Sequence, residues 1–228
     1  MKKTILLFTL LFSTYSFSQY CAFFDFKAEE PEMVVSTVNA MMQTEWAKNI
    51  EGTKTLLAYQ FRGEDEATHS VQFCFPNESA LANFSNTWNS SPIAQLIGEK
   101  LNNYITPVRQ VLNTPAWFKN DWGPDQVFMI WEMEVSDPAT YVKEFASFSQ
   151  KAAKDFGYEN NSYGVGYPIS GKGSDFSHFV WVGSPDLEST LTRTKQMYAS
   201  PDFAKYSEKV SGIRKVVNTY LLVRLQDY

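Results

Sequence analysis

Two carboxylates, two histidines and two cysteines are the residues of this 228-residue chain that invite a chemical reading. Asp25 lies in the run Ala22 to Lys27 (AFFDFK), and Glu132 in the run Phe128 to Val135 (FMIWEMEV). A carboxyl among aromatic side chains loses the hydration its charge needs. Its pKa rises, and it becomes a candidate acid or base. The alternative is a solvated or paired acid, for which Arg109 and Arg214 are candidate partners. His69 and His178 are the only histidines. Either could carry a proton or ligate haem. Equally, either could begin a strand and hydrogen-bond a nearby loop. Cys21 and Cys74 could form a disulfide in an oxidising compartment, or stand as two buried thiols.

Other chemistries lack their residues. There is no HExxH, no CxxC and no CxxCH, so zinc, thioredoxin-like and c-type haem readings have no support. No GxSxG nucleophile elbow occurs. Gly171-Lys172-Gly173-Ser174 lacks phosphate-loop spacing and falls between two strand-like runs, so it reads as a hairpin turn. A formal net charge of −5 argues against nucleic acid, which demands a basic face. The 44% hydrophobic and 16% aromatic content is ample for a buried core. We expect no metal and no cofactor.

Met1 to Ser18 reads as a secretory signal. Lys2 and Lys3 precede a short apolar stretch, and Ser16-Phe17-Ser18 offers small residues at the two positions a signal peptidase reads. Cleavage after Ser18 removes two lysines and leaves 18 basic and 25 acidic residues, a net −7. No other apolar run is long enough to span a bilayer. The expectation is a periplasmic or secreted protein, off the membrane once cleaved, and a monomer or weak homo-oligomer.

The chain also resembles itself. Thr68-His69-Ser70-Val71 matches Ser177-His178-Phe179-Val180, and Pro76 and Ser91-Pro92 match Pro185 and Ser200-Pro201, all at one offset. Val108 to Thr114 (VRQVLNT) matches Ile213 to Thr219 (IRKVVNT) at an offset four residues shorter. Such ordered matches predict two repeats, residues 19–115 and 127–228, joined by a turn-rich linker at 116–126. Each half reads strand, helix, strand, strand, helix, strand, with Pro31 and Pro138 opening the first helices. This is the ferredoxin-like βαββαβ order, in which the third strand lies between the first and second.

The Ser-Pro motif, the helical piece after it and the final strand resemble the dimeric α/β-barrel superfamily, across essentially the whole mature chain. The resemblance implies an α+β fold: two ferredoxin-like repeats packed sheet-to-sheet as an intramolecular α/β barrel. It also implies three possible activities: cofactor-free monooxygenation, haem degradation and, in tandem members, haem-dependent dismutation. The small monooxygenases commonly carry an Asn on the first strand. Here Asp25 and Glu132 stand in those strands, with no Asn. No helix carries a His for haem. Both departures count against the enzyme readings.

Strand alternation groups Cys21, Phe23 and Asp25 with Ser70, Gln72 and Cys74 on one mixed face, with Ile130, Glu132, Phe179 and Trp181 as counterparts. That face would line the barrel. The expected function is binding of a small, mostly apolar or aromatic ligand between the sheets. Phe23, Gln72, Phe179 and Trp181 would supply contacts, and Asp25 and Glu132 would orient it. The alternative is a cofactor-independent enzyme using Asp25, Glu132, His69 or His178 for proton transfer on an aromatic or quinone-like substrate.

Overall fold

Strands form where branched and aromatic residues alternate between two faces, and helices where a short polar residue can cap the first turn. The structure, a computed structural model, describes residues 19–171 and 176–228. The expected signal segment and Lys172-Gly173-Ser174 of the expected hairpin turn lie outside those residues. In chain order the elements are β1 (Tyr20–Ala28), α1 (Pro31–Met42), α2 (Glu45–Lys48), β2 (Thr53–Gln60), β3 (His69–Phe75), α3 (Glu78–Ser90), α4 (Pro92–Asn102) and β4 (Ile105–Lys119). Then follow β5 (Val127–Val135), α5 (Pro138–Asp155), β6 (Tyr163–Ser170), β7 (His178–Ser184), α6 (Leu187–Ala199), α7 (Pro201–Val210) and β8 (Arg214–Asp227). Among these, no helix is long and apolar enough to cross a membrane.

The short motifs that recur along the chain are helix caps. Ser91 Oγ accepts from Ala94 N at 3.3 Å, and Ser200 Oγ from Phe203 N at 3.1 Å, each with Pro at the first helical position. Asn77 and Asp186 cap α3 and α6 in the same way. The expected linker at 116–126 is shorter than its composition suggested. β4 continues to Lys119, so the expected boundary at residue 115 falls inside a strand.

All eight strands belong to one closed antiparallel barrel, in the order β1-β3-β2-β8-β5-β7-β6-β4. The two halves do more than stack their sheets: edge strands pair across them, β2 with β8 and β4 with β6. Closure explains why β4 and β8 are the longest strands, at 15 and 14 residues. β4 pairs with β1 through its first part and with β6 through Leu112 to Lys119. β8 likewise divides itself between β5 and β2. The ring of strands thus closes on itself among the described residues.

Alternation sorts the side chains into an inside and an outside. Outward residues such as Val71, Phe73 and Phe26 pack beneath α1, α3 and α4. Trp131, Met133 and Val180 do the same beneath α5 and α7. Inward residues Leu57, Tyr59, Phe128, Ile130, Trp181 and Tyr220 form a separate cluster inside the barrel.

Two glycines let that interior close. Gly164 and Gly166 of β6 face Trp181 and Phe179 of β7, register by register. A Cβ on Gly164 would collide with the Trp181 ring and sit 2.6 Å from Phe118 Cβ; on Gly166 it would lie 2.6 Å from the Phe179 ring. The rings occupy the space the glycines vacate. Gly164→Ala is therefore expected to lower the unfolding free energy by at least ~1–3 kcal/mol through overpacking. Urea denaturation measures this, and an unchanged midpoint would mean the Trp181 ring has room to move.

Candidate functional site

Two register shifts flank the charged side chains that meet inside the barrel. In the β1–β4 ladder Asp25 opposes Arg109 and Phe26 opposes Pro107, so Val108 is an extra residue. In the β5–β8 ladder Glu132 opposes Asn218 and Met133 opposes Val216, leaving Val217 extra. A bulge re-aims its neighbours. Val108 packs into the interior cluster, and the adjacent Arg109 also turns inward.

Arg109 is the hub. Its Nε donates to Asp25 Oδ2 at 2.6 Å. Its Nη2 donates to Tyr59 OH at 3.2 Å, and lies 3.3 Å from Asp65 Oδ2 and 3.4 Å from Glu132 Oε1. Tyr220 OH donates to Glu132 Oε1 at 3.0 Å. Asp65 arrives from the β2–β3 loop. Arg62 Nη1 donates to the carbonyls of Asp65 and Ala67, and Ala67 N donates to Asp65 Oδ1 at 2.9 Å. That local fold turns the other Asp65 oxygen toward Arg109.

Three buried carboxylates thus share one guanidinium. Burial raises the Asp25 pKa, and the Arg109 charge only partly offsets it. Glu132 is raised for the same reason, with Arg109 and Tyr220 opposing the rise. Burial works against the Arg109 charge, but the surrounding oxygens of Tyr59, Tyr220, Asp25 and Glu132 outweigh it, so its pKa goes up. Burial also pushes Tyr59 and Tyr220 well above the ordinary tyrosine range, so both remain hydrogen-bond donors. Asp25 is a candidate base: Arg109 takes up its Oδ2, and its buried Oδ1 is not engaged by that cation.

Three cavities lie in or beside the barrel, and two of them reach this cluster. An upper chamber of about 80 Å³ inside the barrel is walled by Phe23, Phe128, Phe179 and Trp181. A lower chamber of about 40 Å³ continues toward Asp25, Arg109 and Glu132. The third, about 480 Å³, lies outside the barrel, between β1, β3, β4 and the helices α1, α3 and α4. Phe73, Phe84, Trp88 and Leu101 line it, with Asn89, Asn102 and Gln110 supplying polar groups. Asp25 and Arg109 border both the lower chamber and this cleft.

The four expected ligand contacts, Phe23, Gln72, Phe179 and Trp181, do meet around the upper chamber. The chamber is small, because the aromatic rings fill it. A dry cavity of about 150 Å³ is what takes up benzene. Asp25 and Glu132 meet at Arg109. The histidines do not join them, and neither lines any of the three cavities. His69 stacks on Phe26 with centroids 6.1 Å apart, and its Nδ1 lies 2.9 Å from Thr68 Oγ1. Burial lowers its pKa. His178 Nδ1 lies 3.0 Å from Ser177 Oγ. Thr68 and Ser177 in turn accept from the backbone N–H of Ala28 and Val135. Cys21 and Cys74 face each other across β1 and β3 and are joined by a disulfide with a Cα–Cα distance of 4.1 Å.

Arg214 is a correction. Its guanidinium sits 5.5 Å over the Tyr206 ring and reaches Ser207, under the helices of the second half. Asn218 faces Glu132 instead. The VRQVLNT and IRKVVNT match misaligned the final strands by four residues. Tyr59, Tyr220 and Asp65 were missed entirely. Two sit on strands whose partners are far away in sequence, and the third sits in a loop without a motif.

No family model and no curated protein matches the sequence. Solved structures do resemble it. One described as a "putative monooxygenase" from Lactobacillus acidophilus NCFM is 14% identical, with a TM-score of 0.60 over 92% of this chain and 95% of that one. An anthrone oxidase-like protein is 11% identical, with a TM-score of 0.58 over 94% of each. A variant of chlorite dismutase from Candidatus Nitrospira defluvii is 11% identical, with a TM-score of 0.52 over 91% of each. At such identities the likeness is one of fold: the chain is an α+β barrel of the kind seen in these monooxygenase-like and chlorite dismutase structures.

Proposed function

We propose that this chain is an exported protein that binds a small, mostly apolar or aromatic molecule, and that the ligand sits in the cleft under the first-half helices rather than between the sheets. The cleft itself carries this reading. At about 480 Å³ it falls within the range of ligand pockets, whereas the interior chambers fall far below it. Its aromatic walls supply contact area, and its amide rim can orient one polar end. The Cys21–Cys74 disulfide supports export, since such bonds persist in oxidising compartments. The element order and the placement of the two bulges support an origin by duplication. We take the protein to act as a monomer or weak oligomer, away from membranes.

Titration with 1-naphthol, followed by quenching of tryptophan fluorescence, tests the cleft. Gly98 lies on its wall, and a Cβ there would touch Trp88 at an ordinary 3.4 Å. Gly98→Leu should fill the cleft and weaken 1-naphthol binding at least tenfold. Trp181→Phe, inside the barrel, should leave that affinity unchanged. Equal affinity in Gly98→Leu and wild type would remove the cleft as the site.

A second reading is favoured by Asp25 at the cleft wall and by the names of the similar structures. In it the protein is a cofactor-independent oxidase or monooxygenase, with Asp25 taking a proton from an aromatic or quinone-like substrate beside Arg109. Anthrone with dissolved dioxygen is the test substrate. Asp25→Asn should abolish its turnover and change 1-naphthol affinity only modestly. Turnover should rise as pH increases through the raised Asp25 pKa, because the base must be ionised. Absence of turnover in the wild type leaves a binding protein.

A further inference from the structure

A fourth cavity, of about 110 Å³, lies under the helices of the second half. Its walls are aromatic and aliphatic: Phe145 and Phe148 of α5, Met197 of α6, Phe203 of α7 and Val180 of β7. It opens to solvent, since Tyr198 and Val216, 51% and 42% exposed, also line it. Arg214 stands two residues before Val216 on β8, so the two share one face of the strand, and Arg214 lines the cavity as well. Its guanidinium sits over the Tyr206 ring, a further wall, and its Nη2 donates to Ser207 Oγ at 3.4 Å. Among the described residues no carboxylate pairs with it. Glu134, one step along the β5–β8 ladder, binds Lys215 at 3.3 Å, and Glu144 of α5 binds Lys209 at 2.8 Å. Arg214 is half-buried, so its charge is partly stripped of water with no opposite charge in exchange.

We propose that this cavity binds a short-chain monocarboxylate, with the apolar tail inward and the carboxylate at the mouth on Arg214. A guanidinium presents its N–H donors in a planar fork that matches the two oxygens of a carboxylate. Tyr141 and Tyr206 line the same cavity, and burial pushes both hydroxyls above the ordinary tyrosine range. They stay protonated and do not compete for the cation as phenolates. The tail lies against Phe145, Phe148 and Val180. A cavity somewhat below the ~150 Å³ that takes up benzene holds a tail of about four carbons. A neutral molecule of the same shape forgoes the ion pair, and an inorganic anion forgoes the apolar burial. The first-half cleft lacks this arrangement. Ile105, opposite Ala28, holds the ladder position that Arg214 holds opposite Val135, and it lines that cleft. Arg109, the cation bordering that cleft, is already matched by three carboxylates. The two sites are therefore independent and differ in the charge of the molecule they take.

Valerate is the probe, with valeramide as its neutral counterpart of the same shape. Trp131 lines the cavity, and its indole N–H donates to Tyr198 OH at 3.0 Å. In ¹⁵N-labelled protein that indole resonance is identified by its loss in Trp131→Phe. Valerate should move it saturably, with a midpoint of about a millimolar, as befits about seven non-hydrogen atoms. Valeramide should bind about tenfold more weakly, the loss of hydrogen bonds to a charged group. The indole resonances of Trp88 and Trp181 should stay still. Arg214→Met should abolish the preference, so that valerate and valeramide bind alike. Should that variant misfold, the comparison of the two probes on wild type decides alone. A non-saturable response to valerate, equal affinity for valeramide, a response of Trp88 in place of Trp131, or a preference that survives in folded Arg214→Met would each overturn the proposal.

Discussion

Arg109→Met is expected to lower the unfolding free energy by about 3–5 kcal/mol, the cost typical of stripping a buried ion cluster of one partner. The guanidinium lies within 3.4 Å of Asp25, Asp65 and Glu132, whose side chains are only 2%, 7% and 6% exposed. Without it the three carboxylates face one another with no counter-charge, in a setting where Asp25 and Glu132 already resist ionisation. Urea denaturation gives the number. Combining Arg109→Met with Asp25→Asn and Glu132→Gln should recover much of the loss, because the uncompensated charges go with the cation. A single-variant loss below about 1 kcal/mol would mean that water reaches the cluster freely.

The same cluster sets a pH dependence. A carboxyl whose folded pKa is raised binds its proton more tightly in the folded state than in the unfolded chain. Stability therefore falls as pH rises from the ordinary carboxylate range through the raised folded values of Asp25 and Glu132. Below that range both states are protonated and the difference vanishes. Each proton so held gives a slope of about 1.4 kcal/mol per pH unit within the window. Arg109→Met should steepen and widen it, since removing the cation raises both pKa values further. A flat profile in wild type as pH rises above the ordinary carboxylate range would contradict the buried cluster.

Reduction of the Cys21–Cys74 disulfide, or Cys74→Ser paired with Cys21→Ser, should cost about 4 kcal/mol, since the bond closes a loop spanning 53 positions in sequence. For a chain of this size that corresponds to a fall in melting temperature of about 10 °C. Thermal melts with and without reductant measure it. A melting temperature indifferent to reductant would mean that the unfolded chain is already held compact.

Much of the architecture was legible along the chain, for local reasons. Asp137-Pro138, Ser91-Pro92 and Ser200-Pro201 announced helix starts because a capping oxygen and a proline act within one turn. Alternation in AFFDFK and FMIWEMEV sorted Phe24 from Asp25 and Trp131 from Glu132, since successive strand residues point to opposite faces. Cys21 and Cys74 fell at facing ends of two strands expected to be neighbours, so a disulfide between them stood as one of two open readings, and the structure has it. Interior packing was another matter. Phe179 and Trp181 were expected to frame a pocket; they line a small chamber and lie over Gly166 and Gly164. The Gly-x-Gly spacing in β6 was the available sign, unread because its consequence depends on which strand lies alongside.

What the sequence by itself determined were the elements, their order, the two faces of each strand and the acids that point inward. These depend on neighbours one to four residues away. What only the tertiary structure decided was the company those acids keep. Arg109 meets Asp25, Asp65 and Glu132 because β1, β4, β5 and one loop converge inside the barrel, and Arg214 is carried off to Tyr206 by a four-residue difference in register. It also decided where space remains, in the cleft beneath α3 and α4 and not chiefly between the sheets. Ring volume and helix standoff set that space, and both arise only when distant segments pack.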